Sequence, residues 1–258
     1  MLTPDELARY ETDGLTIPAA RLSEDYVQRL RRKAESFIAA HPHLDPDYIP
    51  SIVEHDPEWL DFAREPIILD SVAQVIGPDI VLWGSALFCK SAEGGKATPW
   101  HQDGQYWPIR PLATCTVWIA FDEVMVANGA MRYVPGSHAD QRTFEHRTDN
   151  SPEYTLNQEL LDLDWANTNA RDVELQPGMF SIHDVYLVHG SNRNDSGQRR
   201  GGFVLRFMPT TSHFDRELAR QQVRDLQVLD ISARQLHLMR GIDRCGRNDL
   251  YKSRRAHA

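Results

Sequence analysis

The sequence predicts a mainly β core, a β-sandwich or jelly roll, with α-helices flanking it at both ends. Three observations carry that prediction. From about residue 79 the apolar positions fall into short runs rich in β-branched and aromatic residues, separated by Gly, Pro, Asn and Asp. Ahead of this region stand two helix starts, at Thr3 and Ser23. Beyond Phe214 the chain reads as helix again.

In chain order, Thr3-Pro4-Asp5-Glu6 offers a cap hydroxyl, a proline at the first helical position and acids in the first turn. DGLTIPAARL then reads as a short strand and turn. Ser23 opens a second helix in which Tyr26, Leu30, Ala34 and Phe37 share one face. Residues 57–76 read as two short helices broken at Pro66. The strand runs are DIVLWGSALFCKS, LATCTVWIAFDEV, AMRYVPGSH, DVELQPGMFSIHD and GGFVLRFMPTT, with Gly129, Pro135 and Gly136 as turn residues. Residues 140–170 read as a long loop carrying a helical piece, and loops of that length in compact domains are often functional. DRELARQQVRDLQVLD and SARQLHLMRG read as closing helices. Residues 1–258 are expected to form a single domain with its jelly-roll core at about 79–210.

The chain has 258 residues, of which 41% are hydrophobic, enough for a core that folds without disulfide or metal staples. Its formal net charge of −9 argues against non-specific binding to nucleic acid or an anionic membrane, since both reward basic surfaces. The run Lys252-Ser253-Arg254-Arg255 is locally basic, as solvated tails commonly are. Three cysteines, Cys89, Cys115 and Cys245, show no CxxC spacing and suit unpaired thiols in a reducing compartment. The acidic start MLTPDELARYETDG lacks the apolar run of a signal peptide, and no stretch approaches the roughly 20 apolar residues of a membrane span. A soluble cytoplasmic protein, monomer or homodimer, is expected.

TPWHQDGQYWP, residues 98–108, sets an imidazole and a carboxylate two apart, His101 and Asp103, among aromatics and prolines. On a strand, alternation would turn both to one side. With a second histidine from elsewhere they would form a 2-His-1-carboxylate triad, which covers one face of an octahedral Fe(II) and leaves the opposite positions open. His-x-Asp alone is weak evidence, because a surface strand or turn accounts for it as well. Among the 11 histidines, His41 and His43 fall in a loop after a helix, and His138 ends the turn VPGSH. His189 ends an apolar stretch before a Gly-Ser-Asn turn, and the next strand opens with Arg199 and Arg200. A histidine at a strand end, followed across a hairpin by an arginine, suits a dicarboxylate. The metal takes one end and the guanidinium forks the other.

The set PWHQDGQYW, NGAMRYVPGSH and HGSNRNDSGQRR resembles the phytanoyl-CoA dioxygenase family, from about residue 80 to 209. The resemblance implies a double-stranded β-helix, a cupin-like jelly roll, that uses Fe(II), 2-oxoglutarate and O2. It makes His101, Asp103 and His189 the iron ligands. It also makes Arg200, eleven positions after the distal histidine, the residue that holds 2-oxoglutarate, with Arg199 turned to the other strand face. Ser191 would support the same carboxylate, Trp118 and Thr116 would border the cosubstrate, and Lys90 would line its pocket. The plainer alternatives are core packing for Trp118 and Thr116 and a lysine that snorkels to solvent. Halogenating relatives replace the aspartate by a small residue, which frees a site for chloride. Asp103 therefore implies hydroxylation, or a related oxidation, of a small molecule with release of succinate and CO2.

Gln105, Tyr106, Trp107 and Arg110 follow the His-x-Asp motif and are candidates to face the primary substrate. Arg110 could neutralise an acid there or lie solvated in its loop. His183 and Asp184 precede His189; a carboxylate at 184 could steady a ligand histidine, though a surface pair at a strand edge is the simpler reading. Two other functions fit the same fold. A zinc-dependent hydrolase would leave the arginine without a task. A vestigial jelly-roll binding protein would be expected to have lost part of the set. The substrate itself is not legible in the sequence.

Overall fold

The computed structural model describes residues 1–251, so the basic run at 252–255 lies outside the described residues. Helix α1 (Pro4–Asp13) starts at a reciprocal capping box: Thr3 Oγ1 accepts from the Glu6 amide, and the Glu6 carboxylate accepts from the Thr3 amide at 2.7 Å. Gly14, at φ 79°, ends it in the left-handed conformation that glycine adopts without strain. Strand β1 (Leu15–Thr16) follows, then α2 (Glu24–Ala40), capped by Ser23 and burying Tyr26, Leu30, Ala34 and Phe37. After β2 (Ile49–Pro50) come α3 (Ile52–His55), α4 (Trp59–Ala63) and α5 (Pro66–Ile76), the last opening at Pro66 as expected. Helix α3 was not foreseen.

The β region then unfolds in order as β3 (Ile80–Lys90), β4 (Thr98–His101), β5 (Ile109–Arg110), β6 (Cys115–Ala120), β7 (Met131–Tyr133), β8 (His146–Thr148) and β9 (Gln158–Leu160). Helix α6 (Leu163–Asn169), β10 (Arg171–Val173), β11 (Phe180–Asp184), β12 (His189–Ser191), β13 (Arg200–Pro209) and β14 (His213–Phe214) follow. The described chain closes with α7 (Arg216–Leu226) and β15 (His237–Arg240). The larger sheet runs β1-β11-β6-β13-β3-β15, with β2 also paired to β3; the smaller runs β10-β7-β12-β4. All the pairings are antiparallel, the arrangement of a jelly roll.

Strand alternation divides the larger sheet into two faces. Phe203, Leu205 and Phe207 of β13, with Val117 and Ile119 of β6, pack in one core with Leu30, Phe37 and Trp59 of the helical layer. Val204 and Trp118 turn the other way, into a second core with Met131, Tyr133 and Val173 of the smaller sheet. A bulge in β3 breaks this alternation. Arg206 pairs with Gly84 and Phe207 with Leu82, so Trp83 is the unpaired residue. Before the bulge Ile80 and Leu82 face the helices; after it Leu87 and Cys89 do.

Three expectations are corrected. SARQLHLMRG is not a helix: its second half is β15, which adds to the edge of β3 through His237 opposite Leu82. An edge ladder with open hydrogen-bonding groups outweighs the local helical propensity of that segment. Residues 140–170 hold the hairpin β8–β9 as well as α6. The turn after His189 is not a hairpin between neighbours, because β12 belongs to the smaller sheet and β13 to the larger. The chain crosses the sandwich there.

Candidate metal centre and cosubstrate pocket

His101 and His189 are direct cross-strand partners on β4 and β12, with ring centroids 4.2 Å apart. Strand β4 stops at His101. Asp103 therefore does not reach the same side by strand alternation, as the sequence suggested; it opens a 3-10 turn, Asp103–Gln105, pinned by the Gly104 amide on the Val185 carbonyl at 2.9 Å. The turn brings the carboxylate back, and one ligand atom from each of His101, Asp103 and His189 lies within 4.8 Å of the others. Gln102, between the two, points away and is fully spent. It donates to the Tyr186 and Arg142 carbonyls and accepts from the Phe144 amide, tying the 140s segment to this turn.

Backbone carbonyls fix both imidazoles. His101 Nδ1 lies 2.9 Å from the Pro99 carbonyl and His189 Nδ1 2.9 Å from that of Leu187. A carbonyl only accepts, so each Nδ1 carries a proton, which leaves each Nε2 as the atom available to the shared space. Burial, reinforced by His101 and His183, holds the His189 pKa well below its usual value, which keeps it neutral. Burial alone would raise Asp103, yet the surrounding imidazoles hold it well below the usual carboxylate range. Tyr106 Oη donates to its Oδ1 at 3.2 Å, and Thr116 Oγ1 lies 3.5 Å from Oδ2. Two buried imidazoles and an ionised carboxylate, with no Lys or Arg paired to them among the described residues, form a donor set suited to a divalent metal.

Arg200 opens β13 and is 2% exposed. Its guanidinium carbon lies 5.2 Å from the Trp118 ring, and it forms no ion pair among the described residues. Its Nε, sealed from solvent, has no hydrogen-bond partner. Burial lowers its pKa to about 10, still a cation at neutral pH. Arg200, Trp118, Thr116 and Ser191 line one pocket together with the three candidate ligands. An unpartnered buried cation facing a metal-ligand set fits the far carboxylate of 2-oxoglutarate. Arg199, one residue earlier, turns outward to Asp122 at 2.7 Å and Glu35 at 2.9 Å. Gly202 lets Trp118 close under Arg200: a Cβ there would sit 2.0 Å from the indole Cζ2.

Other predicted residues stand apart from this pocket. Lys90 is buried rather than snorkelling, but its ammonium is turned into the carbonyls of Lys96 and Asn192 and does not line the pocket. Tyr106 and Trp107 line an adjoining cavity, whereas Gln105 lines neither. Arg110 is exposed, and its Nη1 donates to the Trp107 and Ile109 carbonyls. His41 and His43 lie just beyond α2, and His138 packs on Gly14. Sequence reasoning missed two residues. His183 is no surface residue: it is 1% exposed, and its Nε2 lies 3.9 Å from Asp103 Oδ2. Asp184 turns instead toward α1 and Tyr10. Arg206 reaches the metal pocket from β13, and strand alternation from Arg200 could have found it.

Fold and site together define a double-stranded β-helix with a metal-ready His-Asp-His face between its sheets. The family model for phytanoyl-CoA dioxygenase (PhyH) matches residues 1–202, and the chain belongs to that family. A Caenorhabditis elegans protein named "Probable phytanoyl-CoA dioxygenase" is 30% identical over 147 residues, 54% of this chain and 47% of that protein. The chain thus spans about half the length of that relative. The peroxisomal phytanoyl-CoA dioxygenase of Bos taurus is 25% identical over 90% of this chain and 76% of its own length. The solved non-heme monooxygenase ThoJ superposes with a TM-score of 0.66 at 27% identity, over 80% of this chain and 77% of that one. No helix among the described residues is long and apolar enough to cross a membrane.

Proposed function

We propose that this chain is an Fe(II)- and 2-oxoglutarate-dependent dioxygenase that hydroxylates an unactivated C–H bond of a small molecule, releasing succinate and CO2. The observation that carries the proposal is one pocket lined by three ligand groups within 4.8 Å of one another and by a buried guanidinium without an ion-pair partner. A zinc hydrolase would have no use for that guanidinium. A vestigial binder would have no reason to keep it buried beside an intact ligand set, since an unpaired buried cation is costly.

His101, Asp103 and His189 would hold iron, and Arg200 with Ser191 would hold the far carboxylate of 2-oxoglutarate over Trp118. Bound there, metal and cosubstrate supply the oxidising chemistry with O2. The chain supplies the rest. The Pro99 and Leu187 carbonyls set the imidazole tautomers, and the Tyr106 and Thr116 hydroxyls orient the carboxylate. Phe88, Met131 and Val204 give the pocket apolar walls. Asp103 fills the third ligand position, which favours hydroxylation over halide transfer. A single domain acting in the cytoplasm, as monomer or homodimer, belongs to the same reading.

The test is an anaerobic titration of the apoprotein with Fe(II) and 2-oxoglutarate, followed by the visible metal-to-ligand charge-transfer band. A band in the wild type that weakens in Arg200→Ala is expected. Iron binding without a band would overturn the proposal.

A further inference from the structure

A second cavity of about 290 Å3 adjoins the metal pocket, and Arg206 and Leu156 line both. Two arginines face it and, among the described residues, no carboxylate does. Arg206, on β13, is 7% exposed, forms no ion pair among the described residues, and has an Nε without a hydrogen-bond partner. Arg234, from the segment between α7 and β15, is 6% exposed. Its Nη2 donates to Ser51 Oγ at 3.0 Å, but Glu54 stands 3.7 Å from its Nε, beyond hydrogen-bond reach, and that Nε is unpartnered too. Arg234 thus has Glu54 as a loose ion-pair partner, and Arg206 has none among the described residues.

Aromatic rings hold the two heads in place. The Arg206 guanidinium lies 5.4 Å from the Trp107 ring and that of Arg234 5.6 Å from the Trp83 ring, while the two indoles meet edge to face at 4.5 Å. The β3 bulge supplies Trp83 and sets Gly84 opposite Arg206. A Cβ at 84 would lie 3.1 Å from Arg234 Nη1 and 3.3 Å from Arg206 Cδ, so the bare glycine lets both shafts converge. Tyr106 lines this cavity and reaches Asp103 with its hydroxyl, which links the chamber to the metal centre. Unpaired buried cations are costly unless a ligand completes them. Arg206 has no ion-pair partner among the described residues, and Arg234 has only Glu54, outside hydrogen-bond reach.

We propose that this cavity is the primary-substrate chamber and that Arg206 and Arg234 grip an oxyanion of the substrate, placing the rest of a small acid against Trp107 and Tyr106 on the way to the metal. The assignment rests on the oxygenase reading above. It differs from the cosubstrate site, which Arg200 serves. The volume falls at the low end of ligand cavities, roughly 300–1,000 Å3, and suits a small metabolite.

The experiment uses the protein loaded anaerobically with Fe(II) and 2-oxoglutarate. Absence of the charge-transfer band in wild type would sink the oxygenase reading before this inference is reached. With the band present, a panel of short-chain and aromatic carboxylic acids, their primary amides and the matching phosphonates is titrated to tens of millimolar. Binding is read from perturbation of the band and from thermal shift. An oxyanion series should bind at least about tenfold tighter than the amides, and the tighter of the two series names the oxyanion. Arg206→Gln and Arg234→Gln should each weaken that binding about tenfold or more while the 2-oxoglutarate band keeps its affinity; Arg206→Lys should recover part of the loss. Amides binding as well as acids, or no acid or phosphonate binding at all, overturns the inference. So does an Arg206→Gln variant that loses 2-oxoglutarate as fully as Arg200→Gln does. Should a variant fail to fold, the acid-against-amide comparison on wild type still decides.

Discussion

Arg200 and Lys90 stand directly opposite each other on the β13–β3 ladder, two buried cations of which neither forms an ion pair among the described residues. They differ in what their nitrogens do. The Lys90 ammonium is spent on two carbonyls, and burial with the neighbouring Arg200 charge pushes its pKa well below the usual range. The Arg200 Nε has nothing. Their substitutions should therefore diverge. Arg200→Gln should weaken 2-oxoglutarate binding roughly 10- to 100-fold with little loss of stability. Lys90→Met takes the ammonium donor from the Lys96 and Asn192 carbonyls, which should cost about 1–3 kcal/mol of stability, and it should touch cosubstrate affinity less. Thermal melts and 2-oxoglutarate titrations on both variants check this; matching profiles would refute it.

The His101–His189 pair gives the metal prediction. Asp103 is buried and held ionised by the imidazoles around it, so the apo site already presents a carboxylate and two histidines to a divalent ion. Fe(II) or Co(II) should raise the melting temperature with the logarithm of metal concentration above Kd, with about 2.7 kcal/mol gained at a concentration 100 times Kd. His101→Ala, Asp103→Ala and His189→Ala should each remove most of that gain. Asp103→Asn keeps the shape but deletes a carboxylate that the fold favours in its ionised form, so it should lower the apo melting point at neutral pH. An apo melting point unchanged or raised in Asp103→Asn would contradict the account.

His183 should behave as a supporting residue. Its ring lies 4.7 Å from that of His189, neither ring nitrogen has a hydrogen-bond partner, and Asp103 is its nearest charge. Removing a partner of a ligating carboxylate typically costs 10–100-fold in metal affinity. His183→Ala should therefore weaken Co(II) binding by about tenfold without abolishing it. Isothermal titration beside His189→Ala distinguishes the two roles, since equal losses would make His183 a ligand.

The ease of reading the sequence followed the distance over which each feature is decided. Caps at Thr3 and Ser23, the helix face of Tyr26, Leu30, Ala34 and Phe37, and the β runs are local, and they were legible. So was the candidate set His101, Asp103, His189 and Arg200, because its motifs are contiguous; the structure brings these four into one pocket. What was not legible depends on partners far along the chain. Strand β15 exists because β3 offers an edge, and Arg234 enters the cavity because that segment folds back over Trp83. His183 faces Asp103 through its pairing with Thr116 on β6. The β3 bulge at Trp83 has no signature apart from its glycine neighbour. Arg206 is the avoidable miss: it lies three strand pairs from Arg200, so alternation turns it to the same face.

Gly201 and Gly202 allow packing and cosubstrate binding to be separated. A Cβ at 202 would sit 2.0 Å from Trp118 Cζ2, inside the sandwich; one at 201 would sit 2.1 Å from Phe121 Cε2, on the face toward the helices. Either collision forces a buried ring to move, an overpacking cost of about 1–3 kcal/mol, so Gly201→Ala and Gly202→Ala should both lower the melting point. Only the second moves the indole that lies 5.2 Å from the Arg200 guanidinium. Gly202→Ala should therefore weaken 2-oxoglutarate binding several-fold while Gly201→Ala leaves it near wild type, both measured well below their melting points. Equal weakening in the two would show that cosubstrate affinity follows general stability, and the stacking of Arg200 on Trp118 would then carry no special weight in holding the acid.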